Sequence, residues 1–375
     1  MKRFQTWRAW VVGATVAGCV TVVVLAVRFG PAITLSLSLA FPATEAWLAP
    51  LLQTAVREEV SIATRSRRLA ADLYRPPRSR AALLLVHGLS RAGRRHPELA
   101  RLANLLARHG HLVLVPEFAG LTAFRLSGAE VDEIREAIRY LKTLSGAVGV
   151  AGFSFGAGPA LLAAADFSDL WLVASFGGYA DLGNVIAYIT TGIHSFGGRR
   201  YVQRQEEYNR WKLLALLAGS IESERDRNLV GAIAERRLSN PATDTAGLEE
   251  RLGPEGHAVL RLSLNRDERG VTTLLADLPP RSRQKLALLS PLEVAPRLRG
   301  RLLIVHGASD DSIPFTESLR LAEATGGRAR LTILHTFHHT GPQVFWRSLR
   351  DRAEDTWSLL LIADDLLRMT APRTS

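Results

Sequence analysis

The sequence predicts an α/β fold in which a mostly parallel sheet is flanked by helices. Two observations lead to this prediction. Short, continuous apolar runs such as residues 81–86 and 147–151 are bounded by turn residues, as expected for strands buried on both faces of a sheet. Segments with helical apolar spacing lie between these runs, and strands that alternate with helices are typical of parallel sheets.

The predicted elements follow in order from residue 60. Strands are expected at residues 60–63, 69–74, 81–86, 112–115, 147–151, 170–176, 302–305 and 330–334. Helices are expected at residues 97–109, 130–144, 159–165 and 344–368. In the second helix, Val131, Ile134, Ile138 and Leu141 form one apolar stripe. Gly110 follows the first helix and is a residue type that commonly ends helices.

The alternation stops after residue 181 and resumes after residue 296. The residues between are mostly helical in pattern, with breaks at Pro241, Gly253 and Pro279. This interruption of about 110 residues is too long for an ordinary connection. We therefore expect a membrane anchor or signal segment at 1–30, a linker or interfacial segment at 31–59, a core formed by 60–181 and 297–370, and a helical insert at 182–296.

Residues 9–27 form an uncharged, mostly apolar stretch, preceded by Lys2, Arg3 and Arg8 and followed by Arg28. About 20 such residues cross a bilayer as a helix. The stretch therefore predicts an N-terminal transmembrane helix that anchors the chain in membrane lipid. Because basic residues precede it, the domain is expected on the extracytoplasmic side. The alternatives are a cleaved signal peptide and a lipoprotein signal ending at Cys19.

A second apolar stretch, residues 31–52, contains Glu45 and two prolines, Pro42 and Pro50, so we do not expect it to span. If it did, the domain would face the cytoplasm. In residues 34–40, apolar leucines alternate with small polar residues, which predicts a strand or an interfacial segment.

Charge and cysteine content narrow the classes of partner. The formal net charge is +11, which favours attraction to anionic lipid headgroups or an acidic substrate. The arginines are scattered and form no recognition motif, so nucleic-acid binding is not expected. The single cysteine excludes an internal disulfide framework.

Gly152-Phe153-Ser154-Phe155-Gly156 fits the pattern G-x-S-x-G. It directly follows the apolar run 147–151 and precedes a helical segment. This is the strand, sharp turn and helix in which a serine is held in a strained conformation, with its oxygen exposed above the sheet. Side chains at the flanking positions would collide, so glycine is expected there. The pattern makes Ser154 a candidate nucleophile.

Two further segments end predicted strands with residues that complete such chemistry. Asp310 and Asp311 follow the run 302–305, and either could supply an acid. His335, His338 and His339 follow the run 330–334. A catalytic histidine must reach the serine oxygen and be held by an acid at the same sheet edge. These residues also fit a metal site, but the triad explains them without metal, so neither metal nor cofactor is expected.

Together these motifs resemble the α/β-hydrolase family over about residues 68–368. Residues 83–88 (LLLVHG) match its strand and oxyanion turn, and residues 152–158 (GFSFGAG) match its nucleophile turn. Residues 305–314 (VHGASDDSIP) resemble its H-G-x-x-D-x-x-V-P segment, which selects Asp310. The strand ends select His339, with His338 as the fallback, although the family's usual G-x-G-H glycines are missing here.

The resemblance implies an α/β-hydrolase fold with a helical cap insertion and a Ser154, Asp310, His339 triad, in the family's chain order. It also implies that the backbone N–H groups of Leu89 and Phe155 form the oxyanion hole. His87 is expected to brace this loop.

The expected activity is that of a serine hydrolase acting on an ester or thioester of a small-molecule acyl substrate, through an acyl-enzyme on Ser154. A peptidase or an acyltransferase with the same triad, and a non-catalytic binding protein, are the alternatives. Aromatic residues of the insert, including Tyr188, His194, Tyr208 and Trp211, either line the pocket or, in the interpretation we favour, form the core of the insert. The basic tract around Arg91 and Arg94 is read as a solvated run or an anion site.

Overall fold

One mixed sheet organises the structure. The computed structural model describes residues 23–24, 26–65, 67–335, 337–338, 341–342 and 349–368, and the side chains of residues 336–352 lie outside the description. Within this part of the chain, eight strands form the sheet in the order β1-β2-β4-β3-β5-β6-β9-β10. They are β1 (Val56–Ala63), β2 (Arg68–Arg75), β3 (Ala81–Val86), β4 (His111–Pro116), β5 (Val148–Phe153), β6 (Leu172–Phe176), β9 (Arg301–Gly307) and β10 (Ala329–Leu334).

Pairing in the sheet is parallel except at one edge. β1 pairs with β2, and β2 with β4, in antiparallel fashion. The other neighbours pair in parallel, from β4 to β10. The mostly parallel sheet flanked by helices is therefore confirmed. The first strand begins at Val56, four residues before the predicted start, because its exposed half lacks the apolar run that marks a buried strand.

Helices cover both faces of the sheet. Adjacent side chains of β3 point to opposite faces, as strand geometry requires, so that Leu84 packs in one core cluster and Leu83 in the other. The first cluster includes α5 (Ala129–Leu144) and α6 (Ala157–Ala164), and the second includes α3 (Pro97–Arg108) and α15 (Leu349–Leu367). The remaining core helices are α4 (Ala119–Thr122) and α14 (Thr316–Ala324).

The chain between β6 and β9 forms the predicted helical region and also contains a hairpin. Its helices are α7 (Leu182–Thr191), α8 (Glu207–Ala218), α9 (Glu224–Ser239), α10 (Ala246–Glu249), α11 (Pro254–Leu264), α12 (Glu268–Ala276) and α13 (Pro280–Leu288). The hairpin pairs β7 (Ile193–Phe196) with β8 (Arg199–Val202). Apolar side chains of α7 and α8 share one buried cluster with the sheet, so the insert packs directly on the core.

The segment before the sheet is helical. Residues 26–40 form a helix, α1, so of the two alternatives for the alternating leucines, a strand or an interfacial segment, the strand is wrong. Ala32, Leu35 and Ser38 are buried on its inner side. This spacing of three residues is that of one helix face, and burial on that face outweighs the alternating pattern. A short helix, α2 (Glu45–Leu48), follows between two 3₁₀ turns, Pro42–Thr44 and Ala49–Leu51.

The predicted anchor at residues 9–27 lies almost entirely outside the described residues. Among the helices that are described, none has both the length and the apolar character needed to cross a membrane.

The last described elements are a second small hairpin and α15. The hairpin joins β11 (Phe337–His338) to β12 (Gly341–Pro342). Arg28 of α1 forms a bidentate ion pair with Asp364 of α15, at 2.6 and 2.9 Å. The first and last described helices are thus fastened to each other on one face of the sheet.

Candidate active site

Ser154 lies in a sharp turn between a central strand and a helix. β5 ends at Phe153, a 3₁₀ turn covers Ser154–Gly156, and α6 begins at Ala157. The φ angle of Ser154 is +52°, in the left-handed region. Side-chain-bearing residues adopt this conformation at a cost of about 1–2 kcal/mol. The predicted strand, strained turn and helix are therefore confirmed.

Three glycines allow the backbone to close around Ser154. A Cβ atom on Gly152 would lie 2.5 Å from the Cα of Ala157, and one on Gly156 would lie 2.1 Å from the carbonyl oxygen of His87. A Cβ on Gly88 would lie 2.8 Å from the Cβ of Ser154. Each distance is far shorter than a van der Waals contact, so the steric reason predicted for the flanking glycines is confirmed.

His87 braces the loop after β3, as predicted. Its Nε2 accepts a hydrogen bond of 3.1 Å from the backbone N–H of Phe118. Nδ1 therefore carries the ring proton and donates to the carbonyl oxygen of Gly88 at 2.8 Å. Burial lowers the pKa of His87, which favours this neutral form.

The two candidate oxyanion-hole residues are each adjacent in sequence to a residue at the turn, Phe155 to Ser154 and Leu89 to Gly88. Phe155 directly follows the serine, and Leu89 directly follows Gly88, the residue in contact with it. Phe155 is buried and packs on Tyr179 with ring centroids 5.9 Å apart, whereas Leu89 is half-buried. The parallel register of β3 with β5, which pairs Val86 with Gly152, brings the two loops together.

Asp310 is buried just beyond the end of β9. Its Oδ1 accepts hydrogen bonds of 2.9 Å from the backbone N–H groups of Ser312 and Ile313. Its Oδ2 lies 3.4 Å from Nε2 of His306. A Cβ on Gly177, which follows β6, would lie 3.4 Å from the same Oδ2. Asp310 is 3% exposed, whereas Asp311 is half-buried, so the two adjacent carboxylates occupy different environments.

His306 is a buried residue of this site to which the sequence assigned no role. Its Nε2 donates to the carbonyl oxygen of Ile313 at 2.9 Å. Its Nδ1 is hydrogen-bonded to the hydroxyl of Ser318, at 2.7 Å. The ring thus supports the turn that carries Asp310. His306 belongs to the segment 305–314 that resembles the α/β-hydrolase pattern. Its contacts with Ile313 and Ser318 depend on how the turn folds, so the sequence alone could not assign it a role.

Three side chains of the insert hold the backbone of the acid loop. The hydroxyl of Tyr188 donates to the carbonyl oxygen of Asp310 at 2.7 Å. The side-chain amides of Gln203 and Asn209 donate to the carbonyl oxygens of Ser309 and Asp311, at 3.1 and 2.9 Å. No sequence pattern marks Gln203 or Asn209. The insert therefore positions the loop that carries the candidate acid.

The aromatic residues of the insert mainly form its core. Tyr188, His194 and Trp211 are buried, whereas Tyr208 is 46% exposed. His194 stacks on Tyr201 with centroids 5.1 Å apart. Burial lowers the pKa of His194 to about 4. The interpretation of these residues as packing residues is confirmed for the buried ones.

The candidate histidines follow β10 in the sequence, and β10 itself ends beside the acid loop. β10 pairs with β9 so that Leu334 is opposite Gly307, and the carbonyl oxygen of Leu334 accepts from the N–H of Ala308 at 2.8 Å. His335 is exposed, and its backbone N–H donates to Asp355. The backbone of His338 lies in β11. His339 and the side chain of His338 lie outside the described residues.

The basic tract after β3 is paired with acidic residues. Arg94 is buried and bonds Asp72 at 2.6 Å, so it is a structural residue rather than part of a solvated run. Arg91 bonds Glu235 of α9 at 2.7 Å, and both side chains are exposed. Arg91 therefore links the core to the insert at the surface.

Solved structures share this fold. An acylaminoacyl peptidase in complex with Z-Gly-Gly-Phe-chloromethyl ketone superposes with a TM-score of 0.53 and 13% identity, over 88% of this chain and 44% of that one. The uncomplexed acylaminoacyl peptidase of Pyrococcus horikoshii gives a TM-score of 0.52 and 13% identity over the same shares. This chain thus spans less than half the length of those proteins.

These likenesses show that the chain has the α/β-hydrolase fold. No protein-family model matches the chain, and no curated protein sequence matches it.

Proposed function

We propose that this protein is a serine hydrolase that cleaves an ester or thioester of an acyl substrate through an acyl-enzyme on Ser154. The observation that carries the proposal is the φ angle of +52° at Ser154, between a central parallel strand and a helix. Strain at a serine in this setting is the feature by which a nucleophile turn is recognised. Three glycines with no space for a Cβ surround it, which supports the same conclusion.

In the proposed mechanism, Ser154 Oγ attacks the acyl carbonyl while His339 accepts its proton. His339 then protonates the leaving alcohol or thiol, and water hydrolyses the acyl-enzyme with the same histidine as base. His338 is the alternative base, since both follow the strand next to the acid loop.

Asp310 is the proposed acid that orients the histidine. Its support is the turn around it, in which two backbone N–H groups bind Oδ1 and fix the plane of the carboxylate. An acid held rigidly in this way can keep the imidazole in one tautomer and stabilise the imidazolium.

The backbone N–H groups of Leu89 and Phe155 are the proposed oxyanion hole. Both belong to the loops that contact or adjoin Ser154. Phe155 also lies in the first turn of the helical segment, where the positive end of the helix dipole favours negative charge. Such donors stabilise the charge that develops on the carbonyl oxygen, and the loss of one costs about 10²–10³ in kcat.

Two measurements on the full-length protein test the nucleophile. A fluorophosphonate probe should label the wild type and the Ser195→Ala variant, which changes an exposed serine of the β7–β8 hairpin. It should not label Ser154→Ala, and that variant should lose p-nitrophenyl ester turnover. Full labelling or activity in Ser154→Ala would refute the proposal.

Paired variants test the other two roles. Asp310→Asn should lower kcat by about 10⁴, because an asparagine at this position favours the wrong tautomer of the catalytic histidine. Asp311→Asn should retain most activity. His339→Ala should abolish turnover and His338→Ala should not. The reverse result for either pair would reassign that member of the triad.

A peptidase is the second candidate, because the acylaminoacyl peptidases share the fold. The same triad would then attack an amide. A panel of chromogenic acyl-peptides beside a short-to-long series of acyl esters would distinguish the two, by the ratio of kcat/KM values.

We also propose that residues 9–27 anchor the protein in a membrane with the hydrolase domain outside the cytoplasm. The support is the uncharged stretch and the basic residues before it. Protease added to intact spheroplasts should digest the domain. Protection of the domain would overturn this orientation.

A further inference from the structure

The segment 42–51 carries its apolar side chains on the outside. It is helical almost throughout, as two 3₁₀ turns around α2. Ala43, Ala46, Trp47, Pro50 and Leu51 are all exposed. Their spacing of three and four residues places them on one side of a helical segment.

The charged residue of this segment points the other way. Glu45 is half-buried and accepts a hydrogen bond of 2.8 Å from Nε of Arg101, a residue of α3. Trp47, in contrast, is 86% exposed and Leu51 is 73% exposed. A helix at the surface of a soluble domain normally has the opposite arrangement, with its apolar face inward. The exposed face is therefore suited to an apolar surrounding.

α1 extends this face. Ile33, Leu37 and Phe41 are spaced by four residues and are exposed, with Phe41 at 60%. The hydroxyl of Thr44 donates to the carbonyl oxygens of Leu37 and Phe41, which fastens the 42–51 segment to the end of α1. We call the exposed side chains of Ile33, Leu37, Phe41, Trp47 and Leu51 the apolar surface.

We propose that the apolar surface lies in the interfacial region of an anionic lipid bilayer. The uncharged stretch 9–27 runs directly into α1, so this surface begins where the predicted anchor ends. Tryptophan is enriched at membrane interfaces, and helices with an apolar face insert about 5–10 Å into the headgroup boundary.

Exposed basic residues lie near the C-terminal end of the 42–51 segment. The backbone N–H of Arg78 donates to the side chain of Gln53, two residues after Leu51, and the side chains of Arg78 and Arg80 are exposed. Cations beside an apolar face favour anionic headgroups, with about 1 kcal/mol for each basic residue near the surface. This proposal does not depend on the catalytic residues.

Site-directed fluorescence on the full-length protein tests the proposal. In a Cys19→Ser background, which removes the only cysteine, Trp47→Cys is labelled with an environment-sensitive dye. Thr143→Cys is the matched control, because it is exposed on α5, on the opposite face of the sheet. Both proteins are reconstituted into vesicles of phosphatidylcholine and phosphatidylglycerol, with and without headgroup-level nitroxide lipids.

We expect the dye at position 47 to emit at shorter wavelength and to lose emission in the presence of nitroxide lipid. The dye at position 143 should show neither change. A dye at 47 that stays solvent-exposed would overturn the proposal. A blue shift without lipid quenching would also overturn it, because the surface would then be covered by protein. If that blue shift disappears when the protein is diluted with excess lipid, a second copy of the protein covers the surface. If the blue shift persists, residues 9–22 of the same chain cover it. Leu51→Cys should reproduce the result for Trp47→Cys.

Discussion

The hydroxyl of Tyr188 donates a buried hydrogen bond of 2.7 Å to the backbone carbonyl oxygen of Asp310. This bond joins the first helix of the insert to the loop that carries the candidate acid. The insert is therefore fastened to the site by its first turns as well as by the apolar contacts of its helices.

We predict that Tyr188→Phe lowers kcat for ester hydrolysis. A buried carbonyl without its donor costs about 1–3 kcal/mol, which favours a shift of the loop that carries Asp310. A displacement of less than about 1 Å at a catalytic group is enough for a tenfold loss of rate. A loss of about tenfold in kcat, with KM little changed, is expected from initial rates. Tyr208→Phe removes a hydroxyl from an exposed tyrosine of α8 and should leave kcat unchanged. Equal effects of the two variants would contradict the role of the Tyr188 bond.

Gly88→Ala should inactivate the protein. The added Cβ would lie 2.8 Å from the Cβ of Ser154 and 3.0 Å from the carbonyl oxygen of Phe153, so the serine or the loop after β3 must move. A displacement of about 1 Å can cost about 10² in rate, measurable by ester turnover and probe labelling. Gly231→Ala, in α9, is the control, because no atom lies within 4 Å of its added Cβ. Wild-type kcat in Gly88→Ala would show that the loop moves without consequence.

The strain at Ser154 predicts an unusual order of stability. Glycine adopts positive φ readily and alanine does not, so Ser154→Gly should be more stable than Ser154→Ala by about 1 kcal/mol. Chemical denaturation would measure the difference in the free energy of unfolding, and both variants should be inactive. At Ala232, inside α9, the change to glycine should instead cost about 1 kcal/mol. If the alanine form is more stable than the glycine form at both positions, no strain is stored at the turn.

His111 predicts a loss of stability in mild acid. This residue begins β4, stacks on Trp171 and is 1% exposed, and burial lowers its pKa to about 4, from the model-peptide value of 6.5. The unfolded chain therefore binds more protons between these values. The free energy of unfolding should fall as the pH drops below 6.5, and the contribution of this group, up to about 3 kcal/mol, should be lost in full below about pH 4.

The measurement is the free energy of unfolding as a function of pH. His111→Leu should lose less stability than the wild type between pH 6.5 and 4. His257→Leu, which replaces an exposed histidine of α11, should follow the wild-type curve. If His111→Leu also follows that curve, another group causes the acid sensitivity.

Local patterns were sufficient to predict the sheet and part of the site. Buried parallel strands produce continuous apolar runs, and the candidate residues Ser154 and Asp310 lie within a few residues of the C-terminal ends of two such runs, so their placement at one sheet edge was predictable. Alternating leucines in residues 34–40 predicted a strand or an interfacial segment, and the segment is a helix whose Leu35 is buried in the same cluster as residues of α15. Burial of Arg94 depends on Asp72, which is distant in sequence, so no local pattern could indicate it.

The parallel pairing of β6 with β9 connects strands that are separated in the chain by the entire insert. Closing so long a chain segment has an entropic cost, and such non-local contacts slow folding. During translation, β6 is made well before its neighbour β9, so its edge has no partner on that side until the insert has been synthesised. An unpaired strand edge favours aggregation. The newly made chain therefore passes through an aggregation-prone stage that ends only when β9 adds to the sheet.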